Sequence, residues 1–145
     1  MPSFARALAD YDPDLLRIIA SQWDIDLVAT DRLAAADELT NAVLRQEAVD
    51  ATWVRLPADE QGALADLMLA GGKQPYGHFV RRYGELRLMG PARREREKPW
   101  LAPVSVTESL YYRGLVIRAF EQTANGPQEY AIIPDDLLAF LPQPA

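Results

Sequence analysis

Apolar positions in the first half of the chain recur with helical spacing. Asp12-Pro13 offers an N-cap and a preset first turn, and Leu15, Leu16, Ile19 and Trp23 follow three or four residues apart. The stretch DIDLVA breaks the period and reads as an extended bridge. Thr30 is then placed to cap a second helix, DRLAAADELTNAVL, with Leu33, Ala36, Leu39, Val43 and Leu44 on its apolar side. Gln46 to Leu56 reads as a further helix around Val49 and Trp53. Pro57 opens the next, with Asp59 and Glu60 in the first turn, where the helix dipole favours negative charge. Leu64, Leu67 and Met68 share its inner face, and Gly71-Gly72 stops it.

Past this point the elements shorten. Pro75 leads into YGHFVRRYG, in which Phe79, Val80 and Tyr83 can dock inward before Gly84. The proline-bounded MGPARREREKPW has no apolar period and reads as an extended segment. SVTE at Ser105 to Glu108 has capping-box spacing and opens a short helix that ends at Gly114. The period then changes from helical to strand-like. LVIRAFEQT and QEYAII flank ANGP, which holds an Asn-Gly turn signal, while Pro127 implies a loop longer than two residues. PDDLLAFLP predicts a final helical turn, and the PQPA tail reads as the start of a linker.

The expected fold class is therefore mainly α with a small C-terminal β-hairpin: a helical N-terminal part followed by a winged helix-turn-helix. Residues 1–56 form the helical part, and 57–142 the winged-helix domain with a basic insertion at 85–104. Residues 143–145 are the tail.

Charge changes this picture most. The 145-residue chain has a formal charge of −6, but the charge is segregated. Residues 1–70 carry thirteen acids against five bases, and residues 99–145 carry five against two. The span 71–98 carries eight bases against three acids. A basic span in an acidic chain is a statement about partners rather than fold. Lys73, Arg81, Arg82, Arg87, Arg93, Arg94, Arg96 and Lys98 are accordingly the candidate phosphate contacts. In an extended segment Arg94, Arg96 and Lys98 would line one side, with Glu95 and Glu97 opposite. The competing reading is a solvated loop whose Arg and Glu side chains pair with one another. Tyr112 and Arg113, at the end of the third helix, are candidates for stacking on a base and contacting a phosphate or guanine edge.

Other chemistry finds little support. There is no cysteine and a single histidine, His78, which rules out the usual zinc ligand sets and disulfides and fits a reducing cytoplasm. Asp59-Glu60 and Asp135-Asp136 are explained by helix starts. No phosphate-binding glycine loop or nucleophile elbow is present, and Gly71-Gly72-Lys73 lacks the required spacing. No cofactor, metal or catalytic residue is expected. Neither a secretory leader nor an apolar run of membrane-spanning length is evident, so a cytoplasmic protein is expected.

From LPADEQGALADLMLAGG onward the chain resembles winged-helix DNA-binding domains, most closely over RGLVIRAFEQTANGPQEYAIIPDDLL. YDPDLLRIIASQWDIDL, GPARREREKPW and LYYRGLVIRAF are together similar to the N-terminal region of bacterial XPB-type helicase-associated proteins. LLRIIASQWDIDLVATDRLAAADELTNAVL is similar to SAP-like modules, although it has only Arg17 and Arg32 where those carry several cations. These resemblances imply a non-catalytic DNA-binding module beside a helicase or repair system, on duplex, single-stranded or forked DNA. The alternative is a protein–protein interaction module that keeps the fold without binding DNA.

Overall fold

The computed structural model describes residues 2–144, and the helical phasing accounts for most of its elements. Helix α1 (Phe4–Ala9) starts at Ser3, whose hydroxyl accepts the Arg6 N–H. In α2 (Pro13–Gln22) Asp12 accepts the Leu15 N–H at 3.0 Å, and Leu15, Leu16, Ile18, Ile19 and Ala20 are buried. Helix α3 (Arg32–Val43) is capped by Asp31, not Thr30: its carboxylate accepts the Ala34 N–H at 3.0 Å. The buried face of α3 is Ala35, Ala36, Leu39 and Val43. Leu33 lies about 100° round the helix from the centre of that face and is 60% exposed, against the sequence expectation. The DIDLVA bridge starts with a turn at Asp24, φ 55°, and continues without regular structure, and Glu38 of α3 holds it by accepting the Val28 and Ala29 N–H groups.

Helices α4 (Gln46–Arg55) and α5 (Ala58–Leu69) complete the first half. Gly71 and Gly72 take φ of 81° and 96°, a backbone that stops α5 and turns the chain into a three-residue strand, β1 (Lys73–Pro75). Then follow α6 (Tyr76–Tyr83), α7 (Pro91–Glu97), α8 (Val106–Tyr112), β2 (Ile117–Thr123), β3 (Gly126–Ile132) and the one-turn α9 (Asp135–Leu138). The fold is mainly helical with a small antiparallel sheet of order β1-β3-β2.

Three further features depart from the sequence reading. The sheet has a third strand, β1, registered as Lys73↔Ile132 and Pro75↔Tyr130. The hairpin closes tightly, with Thr123 paired to Gly126 and Pro127 already inside β3 opposite Gln122. Proline is tolerated there because β1 reaches only Tyr130 to Ile132, leaving that end of β3 flanked by β2 alone. The basic segment, expected to be extended, is the helix α7, with Pro91 in its first turn and Lys98 closing it in the left-handed conformation at φ 47°.

One continuous core, from Phe4 to Leu141, crosses the 56/57 boundary. The turn after α8 shows how closely the halves meet. Gly114 has φ +71°, and a Cβ there would sit 3.1 Å from Ile19 and 3.2 Å from Phe4. The two ends also meet: Phe4 N–H donates to Asp136 Oδ1 at 2.9 Å, and Asp135 N–H donates to the Pro2 carbonyl at 3.1 Å. Among the described residues no helix is long and apolar enough to cross a membrane.

Candidate interaction site around the third helix of the C-terminal half

Helix α8 is the element expected to read a partner, and it is enclosed. It packs against α2, α5 and α6, and Thr107, Glu108, Ser109, Leu110 and Tyr112 are buried. Tyr112 is 2% exposed and meets the edge of Trp100, so it has no face free for a base. Arg113 is held at both ends. Its Nε donates to Glu60 Oε1 at 2.9 Å, and its carbonyl accepts the Trp23 indole N–H at 2.7 Å. Glu60 lies in the first turn of α5, as the sequence reads, and is also a buried acceptor that takes the Ser109 hydroxyl at 2.9 Å.

The capping box forms by half. Ser105 Oγ accepts the Glu108 N–H at 3.0 Å, but the Glu108 carboxylate bonds elsewhere. It accepts the Val104 N–H at 3.2 Å, the Arg87 N–H at 3.0 Å, and two guanidinium N–H groups of Arg87, at 2.7 Å from Nη2 and 3.1 Å from Nε. Burial alone would raise the Glu108 carboxyl. The Arg87 guanidinium and the two backbone donors outweigh it and hold the group below the usual carboxylate range.

The remaining candidate cations are mostly occupied. Lys73 pairs with Glu121 and lies over the Tyr130 ring. Arg82 sits 3.4 Å from Asp66. On α7, Arg93 pairs with Glu97 one turn on, and Lys98 approaches Glu95 at 3.9 Å. Arg94 turns inward, 5% exposed, onto Asp12 at the start of α2. The expected row of Arg94, Arg96 and Lys98 along one side of an extended strand is therefore replaced by helical geometry, in which i,i+3 and i,i+4 partners meet. Of the candidate cations, Arg81 and Arg96 are exposed without an ion-pair partner among the described residues.

What the fold does bring together is a depression of about 800 Å³ between the end of α6 and the start of α8. Arg81, Arg82 and Arg113 line it alongside Trp100, Leu101 and Val104. Leu101 is 69% exposed and Val104 57% exposed, so both present apolar surface to the depression. Asp59 and Glu60 lie at the α5 edge, so the lining is modestly cationic. No protein-family model, curated protein or solved structure matches the chain significantly. The site must be judged on its geometry.

The apolar half of this depression went unnoticed in the sequence. Its signal was WLAPV, Trp100 to Val104, an apolar run with neither helical nor strand period and a proline inside it. Apolar residues that no regular element claims are the ones a loop can leave exposed. His78 is exposed on α6.

Proposed function

We propose that this protein is a non-catalytic binding module that docks an acidic, partly apolar segment of a protein partner in the α6–α8 depression. The enclosure of α8 carries the reading: a helix buried on three sides has no face to lay in a DNA major groove. Exposed Leu101 and Val104 supply apolar contact, and unpaired Arg81 supplies the charge that selects an acidic partner. A winged-helix layout is part of the proposal. The order α5, β1, α6, α8, β2, β3 with sheet order β1-β3-β2 supports it, α7 being an insertion between the second and third helices of that unit. So are a cytoplasmic setting and association with a helicase or repair system, which rest on the cysteine-free composition and on the resemblance of the sequence.

The convergence of Arg81, Arg82 and Arg113 favours a second reading, in which the same depression grips nucleic-acid phosphates without reading bases. Fluorescence anisotropy separates the two. Labelled acidic amphipathic peptides are compared with duplex, single-stranded and forked DNA over a salt series, using the wild type, Arg81→Glu and Val104→Asp. A protein site binds peptide and loses it in both variants. A phosphate site binds DNA with a log–log salt slope of about −2 to −3, loses it in Arg81→Glu and keeps it in Val104→Asp. No binding of either probe by the folded wild type would sink both readings.

A further inference from the structure

Arg94 has more hydrogen-bonding capacity than the fold uses. It reaches Asp12 through Nη2, while Nε and Nη1 are buried without an acceptor. Buried donors without acceptors carry their full desolvation cost, so the arrangement favours anything that brings an acceptor to them. Arg94 also lines a cavity of about 310 Å³ between the start of α2, the 86–89 segment and α8.

The cavity is amphipathic. Leu15, Leu86 and Met89 form one part of the wall, and Tyr11, Tyr111 and Tyr112 another. Burial raises all three phenols, Tyr112 to about 12, so they remain neutral hydroxyls at any physiological pH. The other charged groups of the lining are already engaged or exposed. Glu108 holds Arg87 from two sides, Asp12 takes Arg94 and the Leu15 N–H, and Asp10 is exposed. Idle polar capacity is thus concentrated at Arg94, in a lining that is about equally polar and apolar. The volume corresponds to about ten heavy atoms at ~30 Å³ each.

We propose that this cavity binds a small amphipathic molecule that presents a carboxyl-type oxygen, carboxylate or carboxamide, to Arg94 and packs a ring or branched apolar body against the leucines and tyrosines. The site is separate from the α6–α8 depression, and its test does not depend on the protein-partner reading.

The experiment titrates the full chain with benzoate and with benzamide, which share a body and differ in head-group charge. Toluene supplies the body alone and acetate the head alone. The readouts are the Arg94 Nε–H resonance by ¹H–¹⁵N NMR and the melting temperature. Benzoate or benzamide is expected to move the Arg94 resonance and raise the melting temperature, with toluene and acetate far weaker at equal concentration. Which of the two binds tighter assigns the head-group charge. Arg94→Lys keeps a cation for Asp12 but lacks the two idle donors, and is expected to weaken binding by about tenfold or more. Should that variant fail to fold, Leu88→Trp serves instead. Leu88 lines the cavity and is 70% exposed, so a larger side chain there narrows the opening without entering the core. Equal effects of toluene and benzoate, no shift of Arg94 with any probe, or unchanged benzoate affinity in folded Arg94→Lys would each overturn the proposal.

Discussion

Helices α6 and α7 are both short and arginine-rich, yet they spend their charge differently. YGHFVRRY buries Phe79 and Val80, and that anchoring leaves Arg81 and Arg82 outside. PARRERE has no apolar anchor, and the side chain it buries is Arg94. The cations around it are interleaved with glutamates at helical spacing: Arg93 pairs with Glu97 and Lys98 approaches Glu95, which leaves Arg96 unpaired. The more basic segment therefore offers no more free charge than the one before it: one unpaired arginine each, Arg96 and Arg81. What a cation can do for a partner depends on which residue anchors its helix and on what lies one turn away, not on the density of positive residues.

That contrast can be broken most sharply at Arg94. Arg94→Ala leaves Asp12 without its partner and opens space in the core, and is expected to cost about 3 kcal/mol in urea unfolding; Arg81→Ala should leave stability unchanged within about 0.5 kcal/mol. Equal effects would mean that α7 is not anchored through its arginine. Glu108→Gln comes next, with an expected loss of about 2 kcal/mol at neutral pH, because a fully buried acceptor of backbone and guanidinium donors is weakened. The sign with pH follows from the depressed Glu108 and Asp12 carboxyls. The stability they add is present above their unfolded values, about 4.3 and 3.9, and is lost as pH falls through the lower folded values. Wild type should lose stability steeply below about pH 4.3, and Glu108→Gln less steeply over the same interval. Parallel curves would show that Glu108 has no part in acid unfolding. The smallest effect is expected at Arg93→Ala, a fall in melting temperature of about 1 °C that disappears at high salt. A larger, salt-insensitive fall would mean that Arg93 does more than pair with Glu97.

The elements legible in the sequence were those whose inward residues are apolar. Leu15, Leu16 and Ile19 announce α2, Leu64 and Leu67 announce α5, and Asp12 caps as its position before Pro13 implies. Helix α7 was illegible for the converse reason: hydrophobic periodicity is silent when the single inward residue is charged. Strand β1 is three residues with a proline, too short to signal itself, and it exists because β3 supplies its partner. Helix α1 is six residues with Phe4 and Leu8 buried, one turn's worth of pattern. Of the candidate site, Arg81, Arg82 and Arg113 were named from the sequence and do share one depression. Tyr112 was named and is buried, because α2, α5 and α6 pack around α8 and Trp100 meets its ring, and a sequence pattern within one helix does not reveal what other elements lay over it.

The meeting of the two ends has a kinetic consequence. Phe4 bonds to Asp136, so the loop closed by that contact is nearly the whole chain, and its entropic cost is met only by elements already in place. During synthesis α1 can pack on α3 soon after it emerges, whereas its contact with α9 waits until about 130 further residues have followed. The same proximity makes the ends a natural place to join the chain and open it elsewhere, at the tip of the β2–β3 hairpin for example, which would let the α1 clasp form early.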